Sequence, residues 1–133
     1  MVEQMKNDNI DILTELQEIV RMRKEEREEG SYTVYLFDSG LDKVLKKLGE
    51  EAAETMIAAK NLEAIAKSGP GAAEAIAALK SGPGATEALA ALKNEAGDLL
   101  YHLVVMLVML GVDTSEVEAV LRERMNKKGN LKK

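Results

Sequence analysis

Gly49-Glu50-Glu51-Ala52-Ala53-Glu54 and Glu95-Ala96-Gly97-Asp98 are the two stretches whose reading decides the fold. Each sets carboxylates three residues apart within a helix-forming run. In an α-helix that spacing turns both side chains to one side, so Glu51 with Glu54, and Glu95 with Asp98, can reach a common point. Two such helices set antiparallel converge four or five carboxylates on one small volume, where repulsion is severe unless cations neutralise it. The chain has no Cys and one His. Hard carboxylate oxygens suit Mg²⁺, or Mn²⁺, far better than zinc, and magnesium held this way usually serves a phosphate-bearing substrate.

Outward from these clusters, the 133 residues amount to one domain with a repeat insertion at about 62–93, and 46% hydrophobic content suffices for a core. Aromatic content is only 3%, and the dominance of Leu, Ala, Met, Glu and Lys favours helices and makes a large sheet improbable. The fold class expected is all-α: a four-helix core with an extra short helix inserted between helices two and three. Eighteen Lys and Arg against 23 Asp and Glu give a net charge of −5, which disfavours adhesion to nucleic acid. Zero cysteines exclude a disulfide framework, and Met1-Val2-Glu3-Gln4 lacks the basic flank and apolar run of a signal peptide. The apolar run from Leu99 to Val112 is broken by His102 and falls short of the roughly 20 residues that span a bilayer. A cytoplasmic protein without a membrane partner is expected.

From about Asn9 to Glu29, Ile10, Leu13, Leu16, Ile19 and Val20 recur at helical spacing, and Gly30 is a natural stop. Ser31 to Phe37 is rich in β-branched and aromatic residues between Gly30 and Gly40, so an extended connector is expected there, with packing the default role of Tyr35 and Phe37. Helix two starts near Ser39 or Leu41 and runs through Lys60 or beyond. Its expected inner stripe is Leu41, Val44, Leu45, Leu48, Ala52, Met56 and Ala59, with Glu50, Glu51 and Glu54 on the flank and opposite side. Alone, that charged side reads as a solvated face; the second cluster shifts the balance. Helix three, apolar on all sides from Leu99 to Leu110, implies burial among several helices or in a subunit interface. Glu95, Asp98 and His102 share one stripe leading into it, and burying them is costly without partners. A lone His is more often a satisfied core residue than a ligand, so His102 is assigned to substrate or to supporting the acids. Gly111 closes this helix, Asp113 or Thr114 caps the next, and Val117, Val120, Leu121 and Met125 supply its expected inner face.

Between Lys60 and Asn94 lies a 13-residue repeat, Lys67-Ser-Gly-Pro-Gly-Ala and then Lys80-Ser-Gly-Pro-Gly-Ala. Ser-Gly-Pro-Gly makes an efficient loop between helices, so the tract reads as two loops and a short helix near Ala72 to Leu79. That helix must lie across the top of the bundle, or the chain must exchange between subunits. The tract has no polar cluster that suggests catalysis; an oligomer contact along Ile65, Ile76 and Leu89 is its functional alternative.

Taken together, Glu29-Gly30-Ser31-Tyr32-Thr33, Gly40-Leu41-Asp42-Lys43-Val44-Leu45-Lys46-Lys47-Leu48-Gly49-Glu50-Glu51-Ala52-Ala53-Glu54, Ala58-Ala59-Lys60-Asn61 and Glu95-Ala96-Gly97-Asp98-Leu99-Leu100-Tyr101-His102 resemble the phosphoribosyl-ATP pyrophosphohydrolase family of histidine biosynthesis. The likeness covers about 10–61 and 94–125. That family belongs to the all-α, MazG-like nucleotide pyrophosphohydrolases, with a Glu-x-x-Glu paired with a Glu-x-x-Asp. Here 40 residues separate Glu54 from Glu95, a longer connection than the family's. The resemblance implies hydrolysis of phosphoribosyl-ATP to phosphoribosyl-AMP and pyrophosphate with Mg²⁺ in a homodimer. It implies Glu51, Glu54, Glu95 and Asp98 as metal ligands and Glu50 as a further ligand or water-orienting base. Lys47 and Lys60 are candidate phosphate contacts, and Ser31, Tyr32, Asn61, Tyr101 and His102 candidate substrate contacts; for Tyr101, core packing competes. Two other readings stand beside it: a house-cleaning nucleoside triphosphate pyrophosphohydrolase, and a helical scaffold or oligomer without activity. A homo-oligomer is expected, as a dimer that is swapped or not, or as a tetramer.

Overall fold

The computed structural model describes residues 11–65 and 85–127. Among them are five helices and no strand: α1 (Ile12–Glu26), α2 (Tyr32–Ser39), α3 (Leu41–Ile65), α4 (Ala85–Met109) and α5 (Thr114–Asn126). The short helix expected near Ala72 to Leu79, and most of the repeat around it, lie outside the described residues. The chain resolves into two compact units, one formed by the residues up to Val44 with those from Leu103 on, the other by Leu45–His102.

In the first unit α1 packs against α2 and α5. Val20, Leu36, Val44, Val104 and Val105 are almost wholly buried, each contributing about 1.5–3 kcal/mol by leaving water. A polar clamp runs through this core. The buried Gln17 amide donates from Nε2 to Asp113 Oδ2 (3.2 Å) and accepts the Thr114 N–H at Oε1 (2.7 Å). Asp113 caps α5 through the Ser115 N–H, Glu116 closes the capping box, and Arg21 adds an ion pair to Asp113 at 3.0 Å. These donors hold the Asp113 carboxyl down to about 2, the Ser115 hydroxyl and N–H first and Arg21 after them. Gly111, at φ +73, ends α4, and the Val112 N–H reaches back to the Leu107 carbonyl (2.9 Å), as a left-handed helix stop requires.

Three sequence expectations need correction here. First, Ser31 to Phe37 is not an extended connector: the Ser31 hydroxyl accepts the Val34 N–H (3.3 Å) and α2 follows at once. Burial of Thr33 and Leu36 on one helical side outweighs the weak strand preference of the β-branched and aromatic residues. Second, α1 stops at Glu26, before Gly30, because Arg27 takes the left-handed cap (φ 51) while its guanidinium grips Asp38 at 2.8 and 2.9 Å. Third, the expected inner face of the last helix is exposed: Val117, Val120, Leu121 and Met125 all face solvent, Met125 at 68%. Thr114 is the buried residue of α5.

The second unit is a pair of long helical segments from α3 and α4. Ile65 and Glu87 share a groove with Glu54 and Glu95, so residue numbers rise along one helix as they fall along the other and the two run antiparallel. The inner stripe of α3 also differs from expectation. Val44, Glu51, Ala58 and Leu62 are the buried positions, whereas Leu45 and Met56 are exposed, Met56 at 63%. A stripe chosen for hydrophobicity alone misses this, because the helix turns the Glu51 carboxylate inward and Met56 out. On α4, Leu100 is exposed while His102, Val104 and Val105 are buried, and Leu110, just past its end, is exposed as well, so this helix is not enclosed on all sides within one chain.

Candidate functional site

The second unit gathers carboxylates from both long helices. Glu51 and Glu54, one turn apart on α3, and Glu95 on α4 each offer an oxygen, and the three oxygens lie within 4.8 Å of one another. Glu51 is only 6% exposed, Glu95 is half-buried and Glu54 is exposed. One oxygen each of Glu51 and Glu95, Oε2 in both cases, is buried without a hydrogen-bond partner. Orphaned acceptors of this kind cost free energy unless something electropositive completes them. The strain shows in protonation: a shared hydrogen bond with Glu54, desolvation, and repulsion from Glu54, Glu51 and Asp98 push the Glu95 carboxyl up to about 7. An all-oxygen set of clustered acids with unfilled lone pairs fits a hard divalent cation.

Around this trio, Asp98 is exposed and stands outside the 4.8 Å set, though its charge acts on Glu95. Its backbone carbonyl accepts a hydrogen bond from Nδ1 of the buried His102 (2.7 Å), which fixes the orientation of the ring. The Tyr101 ring meets the imidazole edge-on, with centroids 5.3 Å apart. On α3 the Lys47 ammonium stands 3.5 Å from Glu50 Oε2 and 3.7 Å from Glu51 Oε1. Lys60 is exposed and pairs with Glu63.

A groove of about 460 Å³ runs from Glu54 and Glu95 past Ile57, Ala58 and Asn61 to Ile65 and Glu87. Asn61 therefore opens onto the same space as two of the acids. Ser31 and Tyr32 belong to the other unit: the Ser31 hydroxyl caps α2, and the half-exposed Tyr32 ring stacks on Tyr35 with centroids 5.9 Å apart.

Glu87 and the small groove residues Ala88 and Ala91 are absent from the sequence reading. Ala88, Ala91 and Glu95 recur at spacings of three and four, the signal of a single helical side. The surrounding repeat hides it by looking uniform.

An all-helical chain that draws acids from two antiparallel helices onto one point, beside an open groove, defines a helical protein with a clustered carboxylate site. The comparisons with known proteins narrow this class. The model of the phosphoribosyl-ATP pyrophosphohydrolase family matches residues 13–125. A relative from Streptococcus thermophilus, described as phosphoribosyl-ATP pyrophosphatase, is 47% identical over 109 residues, 82% of this chain and 81% of the relative. One from Pelotomaculum thermopropionicum with the same description is 42% identical over 118 residues, 89% of this chain and 95% of the relative. No solved structure matches. The chain belongs to the phosphoribosyl-ATP pyrophosphohydrolase family.

Proposed function

We infer that this chain is an enzyme that hydrolyses phosphoribosyl-ATP to phosphoribosyl-AMP and pyrophosphate, in histidine biosynthesis, at the acids of α3 and α4. The observation that carries the reading is the meeting of Glu51, Glu54 and Glu95 within 4.8 Å in a chain of this family. Glu51, Glu54 and Glu95, with Asp98 beside them, would hold Mg²⁺, or Mn²⁺ in its place. An ion there would supply charge neutralisation for the leaving pyrophosphate and make the attacking water easier to deprotonate.

The chain's own groups do the rest. Water adds to the α-phosphorus, the bond from that phosphorus to the bridging oxygen breaks, and pyrophosphate leaves with that oxygen. Glu50, exposed beside the trio, accepts the proton that the water gives up. Lys60 meets phosphate oxygens as a point charge, while Lys47, the other candidate, is engaged by Glu50 and Glu51. Asn61 orients the part of the substrate that enters the groove. His102, fixed by the Asp98 carbonyl, and Tyr101 bound the substrate on the α4 side; Ser31 and Tyr32 are assigned substrate contacts by the resemblance alone. The exposed apolar side chains Met56 and Ile57 on α3, and separately Val120, Leu121 and Met125 on α5, support a homo-oligomer in which a second copy covers them. Among the described residues no helix is long and apolar enough to cross a membrane, in keeping with a cytoplasmic enzyme.

The test is pyrophosphate release from phosphoribosyl-ATP, set beside several deoxynucleoside triphosphates, with Mg²⁺ and with chelator. The reading expects turnover of phosphoribosyl-ATP alone, dependent on the metal, and a loss of about 100-fold or more in Glu51→Gln and Asp98→Asn. Equal turnover of the deoxynucleotides would point to a house-cleaning enzyme instead. Unchanged turnover in Glu51→Gln would remove the site assignment.

A further inference from the structure

Glu51 presents a problem that the metal does not solve until it arrives. The residue is 6% exposed, and its Oε2 has no hydrogen-bond partner. A carboxylate taken out of water needs a countercharge in the metal-free protein as well. The helix register supplies one. Lys47 lies one turn before Glu51 on the same side of α3, and its ammonium stands 3.7 Å from Glu51 Oε1 and 3.5 Å from Glu50 Oε2. The two acids differ in setting: the Glu51 side chain is 8% exposed and that of Glu50 43%. Lys47 thus straddles one inward carboxylate, which a cation needs, and one outward carboxylate, which can keep the ammonium paired on its own.

We propose that Lys47 is the resident counter-cation of the metal-free site, displaced from Glu51 onto Glu50 when a divalent cation binds. This rests on the metal reading given above and adds a competitor to it. The ammonium and the metal are drawn to the same carboxylate, and a divalent ion at Glu51 repels the ammonium beside it, so each binding event loosens the Lys47–Glu51 pair. Glu50 acts as the parking acid: it lowers the cost of that displacement by keeping the lysine paired on the same turn of helix. Lys47 is accordingly a positioning residue. It keeps the inward acids together without metal and weakens the metal's hold, which allows exchange.

The test is calorimetric titration of Mn²⁺ into the full chain, without substrate, for wild type, Lys47→Met, Lys47→Arg, Glu50→Gln and the Lys47→Met/Glu50→Gln pair. Lys47→Met should bind Mn²⁺ roughly three- to tenfold more tightly, having lost both a like charge and a competitor. Its metal-free melting temperature should fall at the same time. Lys47→Arg, which keeps the charge, should stay near wild type. Glu50→Gln should bind more weakly, because the ammonium then stays on Glu51. In the pair that loss should vanish, since with no lysine to park Glu50 has no role in metal binding; a Glu50 that is itself a ligand would keep its penalty.

Unchanged or weaker Mn²⁺ affinity in Lys47→Met overturns the proposal, as does a Glu50→Gln penalty that persists in the pair. If Lys47→Met does not fold, Lys47→Gln is titrated in its place with the same outcomes. Failure of wild type to bind Mn²⁺ overturns the metal reading, and this proposal with it. Binding by wild type with no response to Lys47 overturns the proposal alone.

Discussion

Glu51 and Glu95, from two different helices, each keep a buried carboxylate oxygen without a hydrogen-bond partner, and carboxylate oxygens of the two lie within 4.8 Å of each other. Two like charges held this way oppose folding of the metal-free chain. The arrangement makes stability and cation binding antagonists, and that antagonism can be measured.

Neutralising one member should therefore stabilise the empty protein. Glu95→Gln should raise the metal-free melting temperature by a few degrees and abolish the further rise that Mg²⁺ gives wild type. Differential scanning calorimetry with and without Mg²⁺ checks both halves. A lower metal-free melting temperature would show that the cluster is stabilising in itself.

The pH dependence carries a definite sign. Glu95 ionises near 7 in the folded chain and at its ordinary 4.5 when unfolded, so between these values the folded state holds more protons and stability falls as pH rises. Glu118, raised by Asp11 at the N-cap of α1, adds the same sign. Thermal melts in chelator from pH 4.5 to 8 should thus show a declining midpoint. Mg²⁺ should flatten the decline, because it takes the place of the proton on Glu95. A midpoint that rises across this window would contradict the clustering.

At acid pH a different carboxylate governs. Asp113 titrates at about 2 in the folded chain against 3.8 ordinarily. Its contribution is complete above 3.8 and is lost as pH falls through 2. Wild type should lose stability steeply in that interval, and Asp113→Asn, which has no such group, should show a shallower acid limb. Urea midpoints at stepped pH measure it.

Gln17 is the cross-link of the first unit, and its removal should be severe. Gln17→Ala strands the Thr114 N–H and leaves a cavity beside Val20, at a cost of about 2–4 kcal/mol. Gln17→Glu should recover part of this, since an oxygen still reaches Thr114. Chemical denaturation ranks the three proteins. An Ala variant as stable as wild type would show that the clamp is decoration.

Much of this architecture is visible from residue spacing. The helical repeat of apolar residues marks α1, α3 and α4, and Gly111 with Asp113 marks the joint before α5, because caps are local chemistry. The acids are visible for the same reason: Glu51 and Glu54 sit one turn apart wherever their helix goes. What spacing hides is decided by tertiary contact. Ser31 to Phe37 forms α2 because Thr33 and Leu36 find burial, which no window of local preference records. Met56 and Val120 look like core residues and are exposed, since the side of a helix that gets covered is decided by what packs on it and not by its own composition. Asp98 looks equivalent to Glu95 on the helix wheel; its shorter side chain and exposed position leave it outside the trio's 4.8 Å set.

Glu54 stands 11 residues before the end of α3, and Glu95 stands 10 residues after the start of α4. At 1.5 Å per residue, roughly 15–16 Å of continuous helix lies between each acid and the stretch of chain that joins the two. That length works as a pair of stiff rods. A change beyond Ile65 or before Ala85 therefore reaches the two carboxylates only by leverage along this length of helix.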